Sequence, residues 1–192
     1  MSNSPMVEDE ALISRIIEGD MESFRRLIKQ HERLVAHMVG RIVKNTEDRE
    51  ELCQDVFLKV YDKLKGFNFQ SKLSTWIATI AYRHAINHIR KKKIPIDEPG
   101  EWEDFKEQFI ADDNLEEELA DKDLEEHVLV YINQLPVHYR SVLTMYHVDG
   151  MSYQEIGKIT DMPEGTVKNY LFRARNLLKE KVKKYLGTEE LR

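Results

Sequence analysis

The chain has 192 residues, 41% of them apolar and 33% charged, and a formal net charge of −6. That length allows one or two small domains, and no apolar run approaches the ~20 residues a membrane span needs. The single cysteine, Cys53, excludes an internal disulfide and a four-cysteine zinc site, and the polar start, Met1 to Glu10, lacks the pattern of a signal peptide, so a cytoplasmic protein is expected.

Residues 9–18 predict a short helix. Asp20 can cap a second, whose apolar stripe runs Phe24, Leu27, Ile28, Leu34, Val35, Met38, Val39, Ile42. Asn45 or Thr46 starts a third, with Leu52, Val56, Leu58, Val60 and Leu64 as its stripe, Phe57 and Tyr61 alongside, and Gly66 as its end. Phe67 to Leu73 reads as a loop. Ser74 opens a fourth helix to about Lys92, with Trp76, Ile77, Ile80, Ala81, Ala85 and Ile89 inward. Pro95, Pro99 and Gly100 break the pattern, and an acidic stretch follows that reads as a flexible linker with short helices within it. Helices resume at Leu124, where Leu124, Val128, Ile132 and Leu135 make one face up to Pro136, and residues 137–148 make the next. Ser152 and Glu155 form a capping box for a helix to about Thr160. Asp161-Met162-Pro163 turns the chain into a long helix from about Glu164 to Tyr185. No strand-like alternation competes. The expected fold is all-α, in two small helical domains at 1–94 and 124–186 joined by an acidic linker at 95–123, with a tail at 187–192.

The net charge conceals three different blocks. Residues 97–126 hold fifteen acids and two bases, Lys106 and Lys122, for a net −13. Residues 1–96 hold seventeen bases and thirteen acids (+4), and residues 127–192 hold ten and seven (+3). Two mildly basic blocks joined by an acidic one are a hint about partners. The acidic block is either a solvated spacer or a segment that occupies a basic groove on a partner.

Enzyme signatures are missing. The eight glycines are scattered, with no phosphate-binding loop and no dinucleotide fingerprint, and no nucleophile elbow is present. His84 and His88 could share a helix face as metal ligands do, but Tyr82-Arg83-His84-Ala85-Ile86-Asn87-His88 offers no carboxylate or thiol beside them, which favours polar or packing roles. Cys53 reads as a packed side chain rather than a reactive thiol. No catalytic residue, metal or cofactor is expected.

Residues 152–176 have the form of a helix-turn-helix: a short capped helix, a three-residue turn and a longer helix. In the second helix Val167, Leu171, Ala174 and Leu178 make the buried stripe, and Lys168, Asn169, Phe172, Arg173 and Asn176 make the opposite face. A helix that reads base edges in a major groove needs donors and acceptors there, with Arg175 and Lys179 placed for phosphates. From Gly165 to Leu186 there are seven bases and one acid, Glu180. The competing reading is an amphipathic helix with a solvated basic face. A second basic region, residues 65–93, carries Lys65, Lys72, Arg83, Arg90 and Lys91-Lys92-Lys93 with no acid, and interleaves Phe67, Phe69, Trp76 and Tyr82. Cations along a groove with aromatics that stack on unpaired bases suit single-stranded nucleic acid. Core packing is the main role expected of Trp76, and a solvated helix end stabilised by the dipole is the competing reading of the three lysines. Residues 47–55 are acidic, which fits a soluble surface or a docking face for a basic protein helix.

DREELCQDVFLKVYDKL at 48–64, STWIATIAYRHAINHIRKK at 74–92 and LPVHYRSVLTMYHVDGMSYQEIGKITDMPEGTVKNYLFRARNLLKEKV at 135–182 resemble regions 2 and 4 of bacterial sigma factors of the sigma-70 family, extracytoplasmic-function (ECF) group. The resemblance covers roughly residues 11–186. It implies a sigma region 2 bundle and a sigma region 4 helix-turn-helix in a promoter-specificity subunit that binds core RNA polymerase, recognises promoter DNA and assists its melting, and that an anti-sigma factor holds inactive. No membrane insertion is implied. The resemblance places Asp48, Glu51, Gln54, Asp55, Phe57 and Leu58 against core polymerase. It places Phe67, Phe69, Lys72, Ser74, Trp76, Arg83, Asn87 and Arg90 against the melted promoter element, with a flipped base held by the 67–74 loop. Glu164, Thr166, Lys168, Asn169, Phe172, Arg173 and Arg175 would serve the helix-turn-helix, and the linker would lie in the polymerase's RNA exit path. The chain departs from the family at His84, where asparagine is common, at Asn87, where aspartate is, and at Gly157, where alanine is usual; glycine there suggests a looser unit. The alternative is a stand-alone helix-turn-helix regulator, which leaves residues 46–92 unexplained.

Overall fold

A computed structural model describes residues 5–92, 102–111 and 124–189. Helices carry nearly all of them, and no strand occurs among the described residues. The elements are α1 (Pro5–Ile17), α2 (Met21–Gly40), α3 (Thr46–Lys63), a 3-10 turn (Leu64–Gly66), α4 (Leu73–Lys91), α5 (Trp102–Ala111), α6 (Leu124–Gln134), α7 (Val137–His147), α8 (Tyr153–Thr160) and α9 (Glu164–Glu189). The expected all-α class stands. Contacts divide the chain into two compact units, Met1–Ile94 with Lys158–Asp161, and Pro95–Gly157 with Met162–Arg192.

The first unit is begun by local chemistry. Gly19, at φ +98°, turns the chain as few other residues can. The Asp20 carboxylate then accepts from the free amides of Glu22 (2.9 Å) and Ser23 (3.2 Å), and Asn45 caps α3 through the Asp48 amide (2.8 Å). α2 packs against α1, α3 and α4. The core joins Leu27, Val35, Met38 and Val39 of α2 to Val56 and Val60 of α3 and Ile77, Ala78, Ala81, Ala85 and Ile89 of α4. The alanines leave room for close helix approach. Phe57 belongs to this core, whereas its neighbour Leu58 is 62% exposed. Trp76 and Ile80, expected inward, are only half-buried.

In the second unit the capping box forms as expected: the Ser152 amide donates to Glu155 Oε2 (3.0 Å) and the Glu155 amide to Ser152 Oγ (3.2 Å). α8 ends at Asp161, which takes φ +62°, and the Met162 amide donates to the Gly157 carbonyl (3.1 Å). A Cβ on Gly157 would stand 2.8 Å from the Met162 carbonyl oxygen. Glycine at this position therefore permits a close approach to the Met162 carbonyl that an alanine Cβ would crowd. α9 runs on to Glu189, past the expected end near Tyr185.

Two further expectations change. The buried face of α6 is His127, Tyr131 and Leu135, while Val128 and Ile132 are only half-buried and the Leu124 side chain lies outside the described residues. Aromatics with polar tips fill the position where periodicity suggested aliphatics. Of the acidic linker at 95–123, residues 95–101 and 112–123 lie outside the described residues, but 102–111 is a helix that packs on α9 with Phe109 buried, so it is not a spacer throughout.

Candidate nucleic-acid and protein interfaces

Three surfaces collect the residues singled out from sequence. On α3, Glu51, Gln54 and Leu58 stand at i, i+3 and i+7 and are all exposed, so they form one stripe. Phe57 does not join them. Asp48 and Asp55 border the stripe and are engaged by α4: Lys92 Nζ donates to Asp48 Oδ2 (2.5 Å), His88 Nε2 lies 3.4 Å from the same oxygen, and His84 Nε2 lies 3.4 Å from Asp55 Oδ2. The Lys92 hydrogen bond leads in holding the Asp48 carboxyl below its ordinary range. Burial holds the His84 imidazole low, partly opposed by the contact with Asp55. The two histidines thus face carboxylates that lie far away in sequence, and no metal-ligating group of three or more occurs among the described residues.

The second surface joins the 67–72 loop to α4. Phe67 is buried and meets its neighbours in tilted ring contacts, with centroids 4.7 Å from Phe69 and 5.1 Å from Trp76. Phe69 holds φ +58°, a left-handed conformation that costs a non-glycine residue about 1–2 kcal/mol and that surrounding packing must sustain. Lys72 is exposed and Ser74 half-buried. Arg83, Asn87 and Arg90 then continue as an exposed stripe at i, i+4 and i+7. Loop aromatics and helix cations therefore occupy one unit, in sequence-adjacent elements.

The third surface is the N-terminal half of α9. Glu164, Lys168, Asn169, Phe172 and Arg175 are exposed, with Phe172 at 64%, while Thr166 and Arg173 are half-buried. Lys168 Nζ reaches Glu164 Oε1 at 2.6 Å and stands 5.3 Å above the Tyr153 ring. The Glu164 bond is the leading cause that raises the Lys168 ammonium. Arg175 donates to His147 Nε2 (3.0 Å) and lies 5.2 Å from the Tyr146 ring. Arg173 donates to the Tyr139 hydroxyl (3.3 Å), so it serves packing as well as the surface. Asn169 and Phe172 are both exposed on this face.

Residues 27–94 match the family model of sigma-70 region 2, and residues 126–178 match that of sigma-70, region 4. A protein of Haemophilus influenzae named ECF RNA polymerase sigma-E factor is 30% identical over 180 residues, 91% of this chain and 95% of that protein. This chain belongs to the ECF sigma factors of the sigma-70 family. A protein of Escherichia coli K12 with the same name is 31% identical over 185 residues, 93% of this sigma factor and 96% of its relative. The fold is shared with a sigma factor RpoE solved with the anti-sigma factor NepR from Bartonella quintana, at TM-score 0.62 and 20% identity over 84% of this chain and 98% of that one. It is shared equally with CnrH solved with the cytosolic domain of CnrY, at TM-score 0.62 and 19% identity over 89% and 94%.

Sequence reasoning missed the α3–α4 seam in this sigma factor because its partners are up to 44 residues apart. The seam also gives His84 a role: it faces Asp55 and Lys59 of α3 and His88 of its own helix. Its folded-state pKa lies below the ordinary value of about 6.5. The unfolded chain therefore binds more protons in that window, and stability present above it is lost as pH falls through it. The thermal midpoint of the wild type should drop on acidification from pH 7 to 5, and His84→Asn should flatten that drop. Identical pH profiles by differential scanning calorimetry would show that His84 does not carry it. His147, also held low by burial, titrates in both proteins and cancels in the comparison.

Proposed function

We propose that the chain is a promoter-specificity subunit with no catalytic activity of its own, working in the cytoplasm. It docks on core RNA polymerase through the α3 stripe Glu51, Gln54 and Leu58, flanked by Asp48 and Asp55. It holds melted promoter DNA on the 67–74 loop and the α4 stripe Arg83, Asn87 and Arg90, and reads duplex DNA with the exposed face of α9. The observation that carries this reading is the match to regions 2 and 4 in one chain, supported by exposed stripes on α3, α4 and α9 among the candidate residues. A cluster of three aromatics, Phe67 and Phe69 of the loop and Trp76 of α4, with Phe69 in a left-handed conformation, supports capture of an unpaired base, whose extrusion costs a few kcal/mol. One solved relative was captured with the anti-sigma factor NepR and the other with the cytosolic domain of CnrY, and an anti-sigma factor is the partner expected to hold this chain inactive. No helix among the described residues is long and apolar enough to cross a membrane.

The test is transcription from candidate promoters by purified core polymerase with and without the chain. Added initiation and co-purification with core are expected; neither would occur for a stand-alone helix-turn-helix regulator. For duplex reading, Asn169→Ala and Phe172→Ala should each weaken binding to the matching sequence by about 1–3 kcal/mol and leave random duplex unchanged. Fluorescence anisotropy on both duplexes checks this, since equal loss on both would mark backbone contacts instead.

A further inference from the structure

The acidic segment contains a helix that the three surfaces above do not use. α5 lies on the C-terminal half of α9, and the two run parallel: Lys106 meets Glu180 at 3.5 Å, and four residues further along both helices Lys184 Nζ donates to the Ile110 carbonyl at 3.2 Å. Lys106 is the one base in residues 102–111, and Glu180 the one acid in residues 165–186. The two charge exceptions of oppositely charged helices are therefore placed against each other, which a helix lying there by general attraction would not require. Phe109 supplies the apolar anchor at 6% exposure, with Phe105 beside it at 5.8 Å between ring centroids. Lys184 also satisfies a carbonyl of the last turn of α5, a group that a helix C-terminus leaves without an intrahelical donor. Beneath, α9 and α6 form a small core in which Lys181 is fully buried, 5.5 Å from the Tyr131 ring, and His127 packs on Tyr185 at 4.1 Å.

The outer side of α5 differs. Glu103 and Glu107 are exposed at i, i+4 and face away from the buried Phe109. α5 is thus a short acidic amphipathic helix with an aromatic pair at i, i+4, and the Phe109 ring, the Lys106–Glu180 ion pair and the Lys184 cap are among the contacts that hold it. Ten residues make only marginal helix by themselves, so its helicity depends on this docking. A helix this short, ordered only by docking, is drawn from the low-stability end of a structure.

We propose that α5 is a detachable strap that occupies a docking groove on the C-terminal half of α9, and that the groove's external ligand is an acidic amphipathic helix of a partner protein, which must displace α5 to bind. The groove selects for what α5 displays: an aromatic for the Phe109 position, a cation opposite Glu180 and a C-terminal carbonyl within reach of Lys184. This lies outside the α9 face assigned to duplex reading, and it stands whether or not that assignment does.

The test uses the full chain, its Phe109→Ser variant, and a labelled peptide of residues 102–111 as the probe. Amide hydrogen exchange at 105–111 should quicken at least tenfold in Phe109→Ser, and the variant should bind the added peptide at least tenfold more tightly than the wild type, whose groove is filled. Because Phe109→Ser could disturb the unit more widely, a charge pair provides the second arm. Lys106→Glu should speed the same amides a few-fold, and adding Glu180→Lys should restore them. Equal peptide binding by wild type and Phe109→Ser, no peptide binding by either, or a charge swap without restoration would overturn the proposal.

Discussion

Leu58→Asp is expected to weaken the complex with core polymerase at least thirtyfold, about 2 kcal/mol, while leaving the fold intact. The side chain is 62% exposed at the C-terminal end of the α3 stripe, so a carboxylate there meets water in the free chain. In a protein interface the same carboxylate is desolvated one turn from Asp55 and without a partner, and buried apolar anchors are where binding energy concentrates. Asp55→Arg is a less clean probe of this face. It removes the carboxylate that His84 faces, so a loss of binding would mix docking with the α3–α4 seam. A matched control exists in Leu129→Asp, whose side chain is 60% exposed on α6. Surface plasmon resonance on immobilised core should separate the two variants. Equal affinities for Leu58→Asp and wild type would remove α3 from the interface.

Arg140→Met should destabilise the second unit by about 2–3 kcal/mol. Arg140 is 5% exposed and donates to the carbonyls of Asn133 (2.6 Å) and Leu135 (3.5 Å). Those carbonyls stand where α6 has ended, and the guanidinium supplies donors that the helix cannot. Burial pulls the Arg140 pKa down, yet it starts so far above neutrality that the charge remains. Methionine keeps much of the stem's volume but strands the carbonyls, so the loss reports hydrogen bonding rather than a cavity. In a unit of this size each kcal/mol moves the midpoint by roughly 4–8 °C. Calorimetry should therefore show a fall of about 10 °C or more for the second unit. Lys179→Met, on the exposed side of α9, should leave it in place.

Most helices were legible because their signals are local. Asp20, Asn45 and the Ser152–Glu155 box act within three residues of where they stand, and glycines mark the turns. Exposed functional stripes were legible for a related reason. Positions i, i+4 and i+7 share a face whatever lies opposite, so Arg83, Asn87 and Arg90 could be grouped without a structure. Neighbouring positions in α3 were harder. Periodicity put both Phe57 and Leu58 near the apolar side, and only the packing of α2 and α4 decided that Phe57 turns inward and Leu58 faces out.

The sequence by itself determined the all-α class, the order of caps and turns, the helix-turn-helix and the three blocks of charge, since each depends on residues within a turn or two of one another. Tertiary structure alone decided which charges meet. Asp48 finds Lys92 across 44 residues, and Lys184 finds Ile110 across 74. It also decided that His127, Tyr131 and Lys181 are buried, and that part of an acidic stretch is a docked helix. Helical period reports which residues share a face. It carries no information on which other face, at what distance along the chain, will cover it.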